Sequence, residues 1–237
     1  MGVATLLFSG KVRSATMRRP RLPAAMALLL LTVATSVATA QEEPPSILSL
    51  LPVTDGVLFP GVSEEIEILA PEHIVLVEDA VKGNGLIGLV TLQPDSPADA
   101  ENHHAIFPTG VVCLIGRVSR PATNHLFITV RALAKIRVLE EQPGQVYRVG
   151  RVETIRENLA EEDQPTLSQL RQQVDELAQA VDPVVLGLMS DDERINTLAF
   201  YLNLDLFERQ SLLDADGPIA RARAMIALLT MKLAAPR

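Results

Sequence analysis

A chain of 237 residues, 48% hydrophobic and 21% charged, has an ordinary globular balance and room for one domain or two small ones. Its net charge of −8 is unevenly spread: Lys11, Arg13, Arg18, Arg19 and Arg21 lie in residues 1–40 with no acid, and taking those five positive charges from −8 leaves −13 on the rest. A body that acidic repels phosphate backbones and anionic lipid surfaces, which excludes nucleic acid and the membrane surface as partners.

Residues 1–40 are predicted to be an export signal. Arg18, Arg19 and Arg21 precede the apolar stretch Ala24–Val33, and Ala38-Thr39-Ala40 is a small-x-small cleavage site that places the cut between Ala40 and Gln41. Met17 is a candidate start, and both general and twin-arginine export stay open. The product is expected in the periplasm or outside the cell. The alternative is an uncleaved anchor, since no charge falls between Arg21 and Glu42; only in that case is a membrane a partner.

The polar lead-in QEEPPS is followed by a predicted strand at Ile47–Leu51. In Leu50–Gly61, Pro52 and Pro60 bracket the apolar run Val57-Leu58-Phe59, with turns at Asp55-Gly56 and Pro60-Gly61. Glu64–Leu69 alternates acid and isoleucine, the mark of a strand with one wet face. A helix is predicted from Pro71 to about Lys82, then strands at Leu86–Leu92, Gly110–Ser119, Leu126–Ala132, Lys135–Leu139 and Val146–Ile155, with a polar loop at Pro94–His104 and a hairpin at Asn124-His125. Several short strands between turns indicate a small barrel or sandwich.

Near Asn158 the character changes. Glu161–Pro165 reads as a charged hinge, and everything after it is helical. Thr166 with Gln169 and Ser190 with Glu193 are predicted capping boxes, and Asp205 caps a short helix through Leu213. Leu167, Leu170, Val174, Leu177 and Val181 form one apolar stripe; Ile195, Leu198, Ala199 and Leu202 a second; Ile219, Ala222, Ile226, Leu229 and Leu233 a third. Short loops join them, which predicts an antiparallel bundle. The expected division is a signal at 1–40, a β-rich part at 41–157 and a helical part at 158–237.

The residues predict no catalytic, cofactor or metal site. Gly83-Asn84-Gly85-Leu86-Ile87-Gly88 matches G-x-G-x-x-G, but a helix precedes it and a strand follows, the reverse of a dinucleotide site. No Walker lysine and no G-x-S-x-G occurs. His103-His104 with Asp95, Asp99 and Glu101 lack metal-ligand spacing and read as a solvated loop. His73 and His125 read as helix-start and turn residues. Cys113 is alone, so no internal disulfide forms, and it reads as a small core residue. Arg131, Arg137, Arg148 and Arg151 alternate on late strands and are expected to pair with the many acids.

Leu51-Pro52 followed by Phe59-Pro60-Gly61 resembles the opening of the amino-terminal, substrate-binding domain of ATP-dependent Lon proteases. Gly85–Leu92, the Thr109–Val118 stretch and Leu126–Leu139 resemble that family's later strands, and Asn203–Leu213 its late leucine-rich helix. The family's aromatic Phe-Glu-Pro-Arg-Tyr step is replaced here by Leu69-Ala70-Pro71-Glu72-His73. The resemblance implies an α+β fold: a small PUA-like β pseudo-barrel followed by a helical bundle. It implies a non-catalytic module that binds unfolded or exposed polypeptide segments, as a holdase or as an adaptor to an envelope protease. The ATPase and Ser-Lys protease parts of Lon have no counterpart in these residues. Two other functions stay open: an envelope hydrolase with its site in the barrel–bundle cleft, and a structural partner in an envelope complex.

Overall fold

The computed structural model describes residues 45–94, 96–97, 104–122, 125–142, 146–181 and 187–234. Ala40 and Gln41, the predicted cleavage site, lie outside them, as do Asp95, Asp99, Glu101, His103 and Asn124. The described elements are strands β1 (Ile47–Val53), β2 (Ser63–Ile68), β3 (Leu86–Thr91), β4 (Thr109–Ala122), β5 (His125–Gln142) and β6 (Val149–Ile155), with helix α1 (Pro71–Lys82) between β2 and β3. After β6 come a 3-10 turn (Glu161–Asp163) and helices α2 (Gln164–Val181), α3 (Asp191–Tyr201), α4 (Leu206–Asp214) and α5 (Gly217–Ala234). This is the expected α+β architecture.

The sheet is mixed, in the order β2-β5-β4-β3-β1-β6, and β6 pairs again with β5. Five strands therefore form a ring of pairings while β2 hangs outside it, so the sheet is a pseudo-barrel and not a strict barrel. β5 makes this possible. Its first half pairs with β2 and its second half with β6. The sequence reading divides this segment into two strands, and the structure corrects that: a register shift between Val112 and Cys113 leaves Leu133 as an extra residue in one continuous strand. Such a bulge moves the following side chains to the opposite face. Leu126, Ile128, Val130 and Ala132 thus join the larger core, whereas Ile136 joins Leu48, Leu50, Val90, Val112 and Val152 inside the ring.

Pro52 is a second correction. It does not bracket a loop but lies within β1, opposite Val90 of the parallel neighbour β3. β6 covers only Ile47–Ser49 of β1, so no strand pairs with the other edge at Pro52. A residue without an N–H is tolerated where one strand edge is unpaired.

The larger core joins the two halves of the fold. It runs from Leu51, Phe59 and Ile128 through Leu76 of α1 to Leu167, Ile195, Leu213 and Leu229 of the later helices. Ser190 and Glu193 begin α3 as read: the Glu193 carboxylate accepts from the Ser190 N–H (3.2 Å) and hydroxyl (2.9 Å). Asp205 accepts from the Glu208 N–H at 2.8 Å and its own N–H donates back to Glu208 at 2.8 Å, a complete capping box for α4. The predicted hinge is instead the 3-10 turn, which runs straight into α2. That helix starts at Gln164, ahead of Thr166, so Thr166 is not its cap. In α5 the buried side is Pro218, Arg221, Ala222, Met225 and Leu229, while Leu233 is exposed. The apolar spacing alone put Leu233 on the inner face; a buried arginine, which no hydropathy pattern signals, takes part of that face instead.

Candidate functional site

The segment Val57-Leu58-Phe59 is fully inside, and Phe59 is not exposed at all. After it the chain must reverse to enter β2. Gly61 supplies this with φ +86°, a left-handed conformation that favours glycine. The Val62 N–H donates to the Phe59 carbonyl at 3.0 Å, and the Gly61 N–H to the Ala132 carbonyl at 2.9 Å. The Pro60 carbonyl accepts from the Asn196 amide of α3 at 3.0 Å. The Phe59-Pro60-Gly61 turn is therefore an anchor for the helical half and not part of a ligand site.

Beneath that turn lies a buried ionic junction that the sequence does not announce. Arg221 of α5 is fully buried. It donates to both Glu157 carboxylate oxygens (3.0 and 2.5 Å), to the Asn196 side-chain oxygen (2.8 Å) and to the Leu212 carbonyl (2.9 Å). Its guanidinium stands 5.8 Å from the Phe59 ring centroid. Lys135, on β5 just past the bulge, is also buried and sits 2.7 Å from Glu157 and 2.7 Å from the Ala215 carbonyl. Burial alone would raise the Glu157 carboxyl, but hydrogen bonds and charge from Arg221 and Lys135 outweigh it and hold the group below its ordinary value. This junction positions the halves; every charge in it is already satisfied.

An open cleft of about 400 Å³ lies on the β side. One wall is the Leu51–Leu58 segment, the other is Glu64–Ile68 of β2, and Leu89, His73 and Phe200 complete it. The first wall is held in place: the Thr91 hydroxyl donates to the Gly56 carbonyl at 2.7 Å, and the Leu92 N–H to the Val53 carbonyl at 2.9 Å. The floor is apolar and the rim acidic. Burial, and then the neighbouring Glu65, raise the Glu64 carboxyl above its ordinary value. Burial lowers the His73 imidazole, against the opposing pull of Glu72. Glu67 is engaged by His125, whose Nδ1 is 2.8 Å from its carboxylate. A volume of this size, with apolar side chains beside a set of polar and charged groups, is a usual form of ligand site.

Of the residues singled out by the opening motif, Leu51 and Pro52 line the cleft, while Phe59, Pro60 and Gly61 belong to the anchor. Phe200 and the Glu64-Glu65 pair were missed as site residues; the only signal was the acid–isoleucine alternation, which marks a wet strand and not a cleft wall. Gly85, at φ +73°, forms the turn between α1 and β3, so the G-x-G-x-x-G run follows a helix and leads into a strand, the order read from the sequence. Of the four late-strand arginines, Arg148 is paired with Glu141 through two bonds (2.7 and 2.6 Å) and Arg151 with Glu140 at 3.3 Å, as expected for these two. Cys113 is buried, and burial pushes its thiol far above the usual range, so it is no nucleophile. Among the described residues no group of three His, Cys, Asp or Glu could hold a metal ion.

Comparison with known proteins gives one answer. The family described as the ATP-dependent protease La (LON) substrate-binding domain matches residues 47–231. Among individual proteins, the chain is 24% identical over 205 residues to Lon protease 2 of Myxococcus xanthus, covering 81% of this chain and 24% of that protein. It is 26% identical over 201 residues to the Lon protease of Dictyoglomus thermophilum, covering 81% of this chain and 25% of that one. It thus spans about a quarter of the length of these proteases. Among solved structures, a Lon N-terminal domain protein from Xanthomonas campestris is similar with a TM-score of 0.57 at 21% identity, over 77% of this chain and 98% of that one. The N-terminal domain of the Mycobacterium avium complex Lon protease gives 0.60 at 17% identity, over 78% and 98%.

Proposed function

Since the chain belongs to the Lon substrate-binding domain family, we propose that it binds unfolded or exposed polypeptide segments without cutting them, as a holdase or as an adaptor that hands clients to a separate envelope protease. The observation that carries this reading is the preformed cleft between Leu51–Leu58 and β2, open to solvent with an apolar floor. Binding of this kind draws on equilibrium burial alone. Some 300 Å² of apolar client surface, at about 25 cal/mol per Å², contributes roughly 7 kcal/mol before ordering costs. Those costs take several kcal/mol, so the association is micromolar to millimolar.

A reduced, permanently unfolded model protein is expected to titrate against this protein in a calorimeter, while the same protein in its folded form gives no heat beyond dilution. Equal behaviour of the two forms at high concentration refutes the reading. A second reading, a hydrolase, is favoured by one observation: the cleft holds two groups, Glu64 and His73, whose ionisation burial has shifted. Against it, no hydroxyl or thiol nucleophile is hydrogen-bonded to a histidine among the described residues. Cleavage of the unfolded client by pure protein would decide for the hydrolase.

We propose export as the location, on the strength of Arg18–Arg21, Leu28–Leu31 and Ala38-Thr39-Ala40. Amino-terminal sequencing of the native protein is expected to begin at Gln41. Recovery of intact Met1 or Met17 from the cytoplasm overturns it.

A further inference from the structure

The β2 strand has a neighbour on one side only. It pairs with β5 from Ser63↔Arg131 to Ile68↔Leu126, and among the described residues no other strand joins it. In an antiparallel pair, every second residue of an edge strand turns its N–H and C=O away from its partner. Those groups are unspent and form a template for another strand. The cleft lies along that edge: five consecutive residues, Glu64 to Ile68, line it, drawn from both faces of the pleat. One face of a strand would contribute only alternate residues. Five residues at about 3.3 Å each give an edge roughly 17 Å long.

The charges on the edge select what pairs there. The Glu64 and Glu65 carboxylates have no hydrogen bond or ion pair with any described residue, and the Glu67 carboxylate meets His125. Two copies of β2 brought edge to edge would set glutamates against glutamates, which is repulsive. The same carboxylates attract a strand bearing cations. Their order along β2 is also specific. Glu64 and Glu65, adjacent and on opposite faces, come first; Ile66 and Ile68 then present apolar side chains on the inward face.

We propose that the cleft takes an extended polypeptide segment as an added strand on the free edge of β2, and that it selects segments in which a basic pair adjoins an alternating apolar run. This rests on the polypeptide-binding reading and names its substrate class. Backbone hydrogen bonds to β2 supply sequence-independent affinity, while Glu64 and Glu65 with the apolar floor supply preference. Burial and the neighbouring Glu65 hold the Glu64 carboxyl above its ordinary value, as fits an acid with no cation beside it.

The test uses the full chain and three labelled decapeptides in fluorescence anisotropy. The first has two lysines followed by alternating valine and threonine. The second has glutamates for the lysines. The third keeps the lysines but carries N-methyl groups on alternate backbone nitrogens, which removes donors from one edge. Saturable binding of the first peptide is expected, with the other two weaker by about tenfold or more and the first weakening as salt rises. Glu65→Lys, on the exposed face, is expected to weaken the first peptide by about three- to tenfold with an unchanged melting temperature. Lysine and glutamate peptides that bind alike, or an N-methylated peptide that binds as well as its parent, overturn the inference; if the unfolded model protein still titrates, the broader reading stands. If neither that protein nor any peptide binds, both fall. A dimer in ultracentrifugation that Glu65→Lys abolishes overturns the inference in favour of a second copy on the edge.

Discussion

Glu157→Gln is expected to destabilise the protein by about 3–5 kcal/mol at neutral pH, the cost of leaving buried charge without its partner. The carboxylate is the one anion that Arg221 and Lys135 are seen to share: it accepts at 3.0 and 2.5 Å from the first and lies 2.7 Å from the second. Both cations are buried. Glutamine keeps the shape and removes the charge, so neither cation has a counter-ion and both keep their desolvation cost. The urea midpoint is the measurement, and a loss under about 1 kcal/mol would show that water reaches the junction. The pH profile gives an independent check. The folded carboxyl titrates below its unfolded value, so its contribution is complete above an unfolded pKa of about 4.3. It is lost as pH falls through the lower folded value. Wild type is therefore expected to lose stability more steeply than Glu157→Gln as pH drops below about 4.

Leu229→Ala is expected to cost about 2–5 kcal/mol, the transfer of a buried leucine plus the cavity it leaves. Leu229 is fully buried in the core that joins the helices to the sheet. Leu233, one turn further along α5, is 42% exposed, and its replacement by alanine is expected to change stability by no more than about 0.5 kcal/mol. The pair tests the phase of α5 as well as its burial. Equal losses at both positions would restore the inner face that apolar spacing alone suggests. A negligible loss at Leu229 would mean that the helix does not pack on the core at all.

Much of the fold is legible in the sequence because local chemistry decides it. The limits of α1 follow from Pro71 at its start and Gly83 at its end. The starts of α3 and α4 follow from side chains three residues apart. The apolar run Leu86–Leu92 reads as a strand, and β3 over Leu86–Thr91 is one, with a neighbour on each side. The Phe59-Pro60-Gly61 turn and the late helix that contains Gln210 carry enough of the family pattern to fix the architecture before any coordinate is known.

What the tertiary structure alone decides are the contacts between residues far apart in the chain. The burial of Arg221 follows only once Glu157, 64 positions earlier, and Asn196 are placed beside it. Lys135 turns toward the helices only because the bulge at Leu133 changes the face of β5, and alternation carries no sign of which strand it will bulge against. The cleft has the same origin. Glu64 and Glu65 look like ordinary members of a strand with one wet face, and become a site wall because the Leu51–Leu58 segment and Phe200 are brought opposite them. Hydropathy periodicity reports how a residue relates to its own helix or strand; burial of a charge and the shape of a cavity depend on partners from other elements, and those are set by packing.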